Sequence, residues 1–101
     1  MQKGGFAMNV LSTNCLKAVA IMFNMKENGA IYDFEMCPCY NSYDSRRIEF
    51  KFKDECDDYG IIVDHLHYTI EHDYETVVRV DNVSDLVKAI LLLKRIVDLG
   101  S

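Results

Sequence analysis

Residues 64–80 read DHLHYTIEHDYETVVRV. Leu66, Tyr68 and Ile70 alternate with His65, His67, Thr69 and Glu71. After a polar break at His72–Glu75, Thr76, Val78 and Val80 alternate with Val77 and Arg79. Successive side chains of a strand point to opposite faces, so an apolar period of two written twice around a polar break predicts a β-hairpin with one apolar face. The rest of the chain reads as what covers or extends that face.

Working outward, Arg46 to Lys53 has the cleanest alternation. Ile48, Phe50 and Phe52 face one way, and Arg47, Glu49, Lys51 and Lys53 face the other. Ala30 to Cys37 predicts a strand with Tyr32, Phe34 and Met36 inward and Ile31, Asp33 and Glu35 outward. Pro38 ends it, because proline has no donor for a ladder. The stretch CYNSYDS over 39–45 is a polar connection. In all four predicted strands the even-numbered residues are the apolar ones. Tyr59 to Val63 fits less simply, as either a short strand or part of the preceding loop. Its apolar Ile61 and Val63 are odd-numbered, so joining it to Leu66–Ile70 in one strand requires a bulge near Asp64.

Two helices flank the strands. Val10 to Glu27 carries Cys15, Ala18, Val19 and Met22 at helical spacing, widened by Leu16, Ile21 and Phe23. Ser12 or Thr13 is the expected N-cap, and Asn28–Gly29 the stop. Packing on a sheet is the plain reading of this helix, and Met22 with Met25 in a binding groove is the functional one. Val83 to Leu99 follows Asp81 or Asn82 as cap, with Ser84 competing. Leu86, Ala89, Ile90, Leu93, Ile96 and Val97 form its core face, while Val87, Leu91, Leu92 and Leu99 make it apolar over much of its circumference. That excess suits deep cover or an interface. The expected fold is α+β: a four-stranded antiparallel meander in the order α-β-β-β-β-α, with both helices on one face.

A chain of 101 residues is one domain, here placed at 10–99. Residues 1–9 read as a leader or cloning remnant with Met8 as the natural start, and Gly100–Ser101 as vector-derived. The formal net charge of −5, from 16 acidic and 11 basic residues, argues against nonspecific nucleic-acid binding, which needs clustered cations. No run is long and apolar enough to span a bilayer, and the N-terminus lacks a signal-peptide pattern. The four cysteines therefore read as reduced thiols of a cytoplasmic protein.

Three constellations have chemical potential. Cys37, Cys39, Cys56, His65, His67 and His72 are zinc-ligand types. In a four-stranded meander only Cys37, Cys39 and His72 share a sheet end, without a fourth ligand, and the expectation is no metal and no cofactor. Cys39, His72 and Asp73 assemble as a nucleophile, base and orienter only on paper. No phosphate-cradling glycine loop or nucleophile elbow exists, so no catalytic residue is assigned. The acidic run 54–58 is the third. Asp54, Glu55, Asp57 and Asp58, with Asp64 and the hairpin-tip acids Asp73 and Glu75, form a negative surface suited to a basic groove.

The expected function is a small acidic, non-enzymatic protein-binding module. It is an inhibitor or anti-defence, immunity-type factor docking on a basic surface of a nucleic-acid-handling protein. Its short, acidic, Tyr- and Cys-rich character is that of many phage- and plasmid-borne inhibitors, a likeness of class only. The alternatives are a homodimer built on Leu92 and Leu99, and a zinc module using Cys37, Cys39 and His72.

Overall fold

Where the chain reverses after Val63, a side chain and not a bulge decides the architecture. The computed structural model describes residues 9–38, 42–54 and 58–100. Its elements are α1 (Val10–Glu27), β1 (Asp33–Met36), β2 (Arg46–Lys51), β3 (Tyr59–Val63), β4 (Tyr68–His72), β5 (Glu75–Val80) and α2 (Val83–Leu99). The strands form one antiparallel sheet in the order β1-β2-β3-β4-β5. The α+β class and the meander between two helices are as expected. The strands number five, not four.

The added strand is β3. Tyr59, Ile61 and Val63 point into the core, and these are odd-numbered. The Asp64 carboxylate accepts hydrogen bonds from the N–H groups of Leu66 (2.7 Å) and His67 (2.6 Å), and the Asp64 N–H donates to the His67 carbonyl (3.1 Å). This side-chain-to-backbone turn gives the chain an alternative to continuing the ladder. It spends residues 64–67, and Val63 pairs directly with Tyr68. The inner face therefore passes from odd to even numbers across the turn. Leu66, which alternation alone puts in the core, is 72% exposed at the turn. The β3–β4 ladder is unbroken, and the sheet's register shift lies instead between Ile70 and Glu71 on the β5 side.

Asn9 caps α1, its side chain accepting from the Ser12 N–H at 2.7 Å. The cap is thus Asn9 and not Ser12 or Thr13. Residues 1–8 and 101 lie outside the described residues. Gly29, at φ 83°, lets the chain leave α1 in the left-handed region. Asn82 caps α2, accepting from the Asp85 N–H at 2.8 Å.

Leu11, Ala18, Met22 and Met25 of α1 and Leu86 and Ile90 of α2 meet Ile48, Phe50, Ile61, Val63, Tyr68 and Ile70 in one core. Met22 and Met25 are core residues, which removes the binding-groove reading of them. Both helices lie on this face and run the same way. Near their starts, Asn14 Nδ2 donates to the Asp64 carbonyl (2.9 Å) and His67 Nε2 lies 3.7 Å from Asp81. Near their ends, Lys26 pairs with Asp33 (2.9 Å) and Lys53 with Asp98 (3.7 Å). Among the described residues no helix is long and apolar enough to cross a membrane.

Candidate functional site

The pairing of Tyr59 with His72, and of His72 with Glu75, brings two acidic turns together. The Tyr59 and His72 rings stack with centroids 4.5 Å apart and planes 17° from parallel. The loop entering β3 and the turn joining β4 to β5 therefore leave the sheet side by side. Asp54, Asp58, Asp73 and Glu75 are all exposed at this end. Glu55 and Asp57, assigned to the same surface, lie outside the described residues, as do Cys39 and Cys56. Asp64 does not join them. It sits at the opposite end of the sheet, and its carboxylate is engaged in the turn.

Few cations answer this cluster. Lys51 lies 3.8 Å from the Asp58 carboxylate and donates to the Asp54 carbonyl at 3.4 Å. Two further carboxylates at this end are held below the ordinary carboxylate range. For Asp98 the chief cause is its hydrogen bond from Lys94, and for Asp33 the one from Lys26. A depressed folded-state pKa contributes stability that is present above the ordinary carboxylate value and lost as pH falls through the folded one. Urea titrations at neutral pH and near pH 3 should therefore show wild type losing more stability in acid than a Lys26→Met/Lys94→Met variant. Equal losses would refute it.

The turn itself is strained. Asp73 (φ 54°) and Tyr74 (φ 65°) both occupy the left-handed region. The mirror-type two-residue hairpin requires this, and glycine or asparagine usually supplies it. Tyr74 is 79% exposed, yet its ring lies 5.0 Å from the Arg47 guanidinium carbon. Arg47 in turn lies flat across β3. Its Nε donates to Glu49 (3.3 Å) and an NH group to Glu71 (2.7 Å). It is 8% exposed, although alternation assigns it to solvent. Gly60 makes room: a Cβ there would sit 2.6 Å from the guanidinium carbon. A lone glycine in an apolar strand signals such a close approach, and that was the sequence feature to follow.

Beside this group, a shallow depression of about 350 Å³ is lined by Arg47, Thr69, Glu71, Tyr74, Thr76 and Arg79, among others. Arg79 Nε donates to the Thr69 hydroxyl at 3.1 Å.

The extra strand also separates the thiols from the histidine. Cys37 lies opposite Arg47, its N–H donating to the Arg47 carbonyl at 3.0 Å. His72 lies on β4, three strands and three residues away, roughly 17 Å at ordinary sheet spacings. The shared end predicted for Cys37 and His72 needed a four-strand path, and β3 reverses it. His67 now shares the end of Cys37, held between Asp64 and Asp81 at 3.7 Å from each. Among the described residues no three His, Cys, Asp or Glu side chains gather as a metal-ligating group. Cys15, on α1, has its thiol pushed up by burial, the wrong direction for a nucleophile.

The last helix leaves Leu92 (59%), Ile96 (57%) and Leu99 (85%) exposed, at spacings of four and three that place them in one row.

No family model, no curated protein and no solved structure matches this chain.

Proposed function

We propose that the protein is a non-enzymatic binding module whose acidic sheet end docks on a basic surface of a protein partner. The observation that carries this reading is the Tyr59–His72 pairing, which sets Asp54 and Asp58 beside Asp73 and Glu75. Two acidic turns remote in sequence present one surface, and the stiff hairpin turn at Asp73–Tyr74 limits the entropy lost on docking. A nucleic-acid-handling protein is the partner class such a surface suits, its carboxylates occupying sites made for phosphates. An inhibitory, anti-defence or immunity-type role follows from occupying that groove. The surface comprises Asp54, Asp58, Asp73 and Glu75, with Asp64 removed from it.

The test is capture from the native host at low salt, followed by a salt gradient. Wild type should retain a basic partner that elutes as salt rises, because exposed charge pairs are screened. The Asp58→Lys/Asp73→Lys variant should retain at least about tenfold less of it. Equal retention would defeat the proposal.

A second reading rests on the apolar row of α2. Leu92, Ile96 and Leu99 of two copies form a homodimer seam. Light scattering across a concentration series decides it: a mass that doubles with concentration in wild type, but not in Leu92→Lys/Leu99→Lys, supports the dimer.

A further inference from the structure

β1 is the first strand of the sheet order and, among the described residues, pairs with one strand only. The Cys37 N–H donates to the Arg47 carbonyl, and this fixes the phase of the ladder. Backbone groups alternate inward and outward along an antiparallel edge. Asp33, Glu35 and Cys37 direct theirs to β2, so Phe34 and Met36 direct theirs to the open side. The Phe34 N–H is taken by the Asp33 carboxylate at 2.9 Å, and before β1 the Tyr32 N–H donates to the Lys51 carbonyl at 2.9 Å, so the free edge offers the Met36 donor and the Phe34 and Met36 carbonyls.

The two faces beside that edge differ in chemistry. On the core face, α1 overhangs the strand. Phe23 meets Phe34 edge-on with ring centroids 5.3 Å apart, and it remains 60% exposed. Towards the start of α1, an apolar hollow of about 380 Å³ is lined by Leu11, Cys15, Leu16, Val19 and Met36, among others. On the outer face, a smaller hollow of about 190 Å³ carries Asp33, Glu35, Glu49 and Asp58 against a single lysine, Lys51. Asp33 is paired with Lys26, and Glu35 stands exposed.

We propose that the β1 edge accepts an added strand from a partner protein, an extended segment that alternates apolar and basic residues. Main-chain bonds to Phe34 and Met36 supply affinity. Alternate apolar side chains enter the overhang beneath Leu16 and Phe23, and the basic ones between them meet Glu35 and its neighbours. A second copy does not suit the edge. Antiparallel pairing of β1 with itself sets Asp33 and Glu35 against their own copies, and like charges opposite one another destabilise a sheet. The other edge is unsuitable for a different reason. The β4–β5 register shift at Ile70/Glu71 interrupts it, a device that discourages strand addition.

This inference rests on the protein-binding reading but uses the β1 edge, which shares only Asp58 with the acidic turns. The two are separable by experiment. The probe is a short synthetic peptide alternating lysine and valine, added to the full chain, with amide hydrogen exchange read by NMR. Alone, Met36 should exchange quickly while Glu35 is protected. With peptide, the exchange of Met36 should slow by about tenfold or more and the amide resonances of Glu35 and Cys37 should shift, and a glutamate–valine peptide should leave both unchanged. Met36→Pro removes an outward N–H without touching the ladder, as proline is tolerated on such an edge, and should abolish the effect. Glu35→Lys should weaken it independently. Asp73→Lys/Glu75→Lys, which alters the acidic end but no residue of the hollow beside β1, should retain most of it, so failure of the acidic-end proposal would leave this one standing. Absence of protection at millimolar peptide, equal protection by the acidic peptide, or protection that grows with protein concentration alone would each overturn it. The last result would assign the edge to a second copy.

Discussion

Arg47→Ala is expected to lower stability by about 2–3 kcal/mol, because it strips one cation from two carboxylates that stay where they are. The Arg47 side chain is 9% exposed, and its partners Glu49 and Glu71 only 28% and 18%. Without the guanidinium, two partly desolvated negative charges face each other across Gly60 of β3. In a domain near 100 residues that loss amounts to about 10–20 °C in the melting midpoint. Adding Glu49→Gln and Glu71→Gln should return much of it, since the deficit lies in the unpaired charges. Gly60→Ala should destabilise in wild type by pushing a methyl into the guanidinium, and far less in the Arg47→Ala background. Thermal and urea unfolding of the four proteins in that double-mutant cycle measure the coupling. An Arg47→Ala variant within about 0.5 kcal/mol of wild type would mean that the pairs are no better than surface ones.

Phe50→Ala should be the more damaging change, costing about 3–5 kcal/mol. Phe50 is 1% exposed. It lies 5.3 Å from the Phe52 ring edge-on and stacks on Tyr59 at 5.7 Å. Tyr59 in turn stacks on His72, so truncation opens a void at the base of the column that aligns the two acidic turns. Domains of this size hold only about 5–15 kcal/mol in total, so the variant should be partly unfolded at 37 °C. Phe50→Leu, which keeps most of the volume, should cost less than about 1.5 kcal/mol. Urea unfolding at 25 °C separates the cases. Similar losses for the two substitutions would show that the site does not depend on packing.

How far the sequence carries can be seen at particular residues. The cores of β2, of β4 from Tyr68 onward and of both helices were legible because their periods are long and uninterrupted; in β5 the register shift keeps Val78 and Val80 opposite Ile70 and Tyr68 but sets Thr76, expected inward, beside Glu71 on the outer face. Parity failed at Asp64. Alternation is blind to a turn that keeps hydrogen-bonding by side chain, and HLH at 65–67 continues the polar–apolar rhythm through a segment that is not a strand. That one error removed a strand and placed Cys37 with His72. It also left Asp54–Asp58 and Asp73–Glu75 at opposite ends of the predicted hairpin, where the register makes them neighbours. The same rule missed Arg47, because a period of two distinguishes faces but not depth. Only Gly60, lacking the atom that would block it, marked where an arginine lies down.

Both helices start at the Asp64 end and finish at the end bearing Asp54, Asp58, Asp73 and Glu75. Each helix terminus carries the equivalent of about half an elementary charge, negative at the C-terminus. In antiparallel helices these would cancel; here they add, in the same sense as the carboxylates. The molecule therefore has a permanent electric dipole along the helix axes, and a positively charged surface would turn it during approach. Its association rate, more than its dissociation rate, should fall with ionic strength.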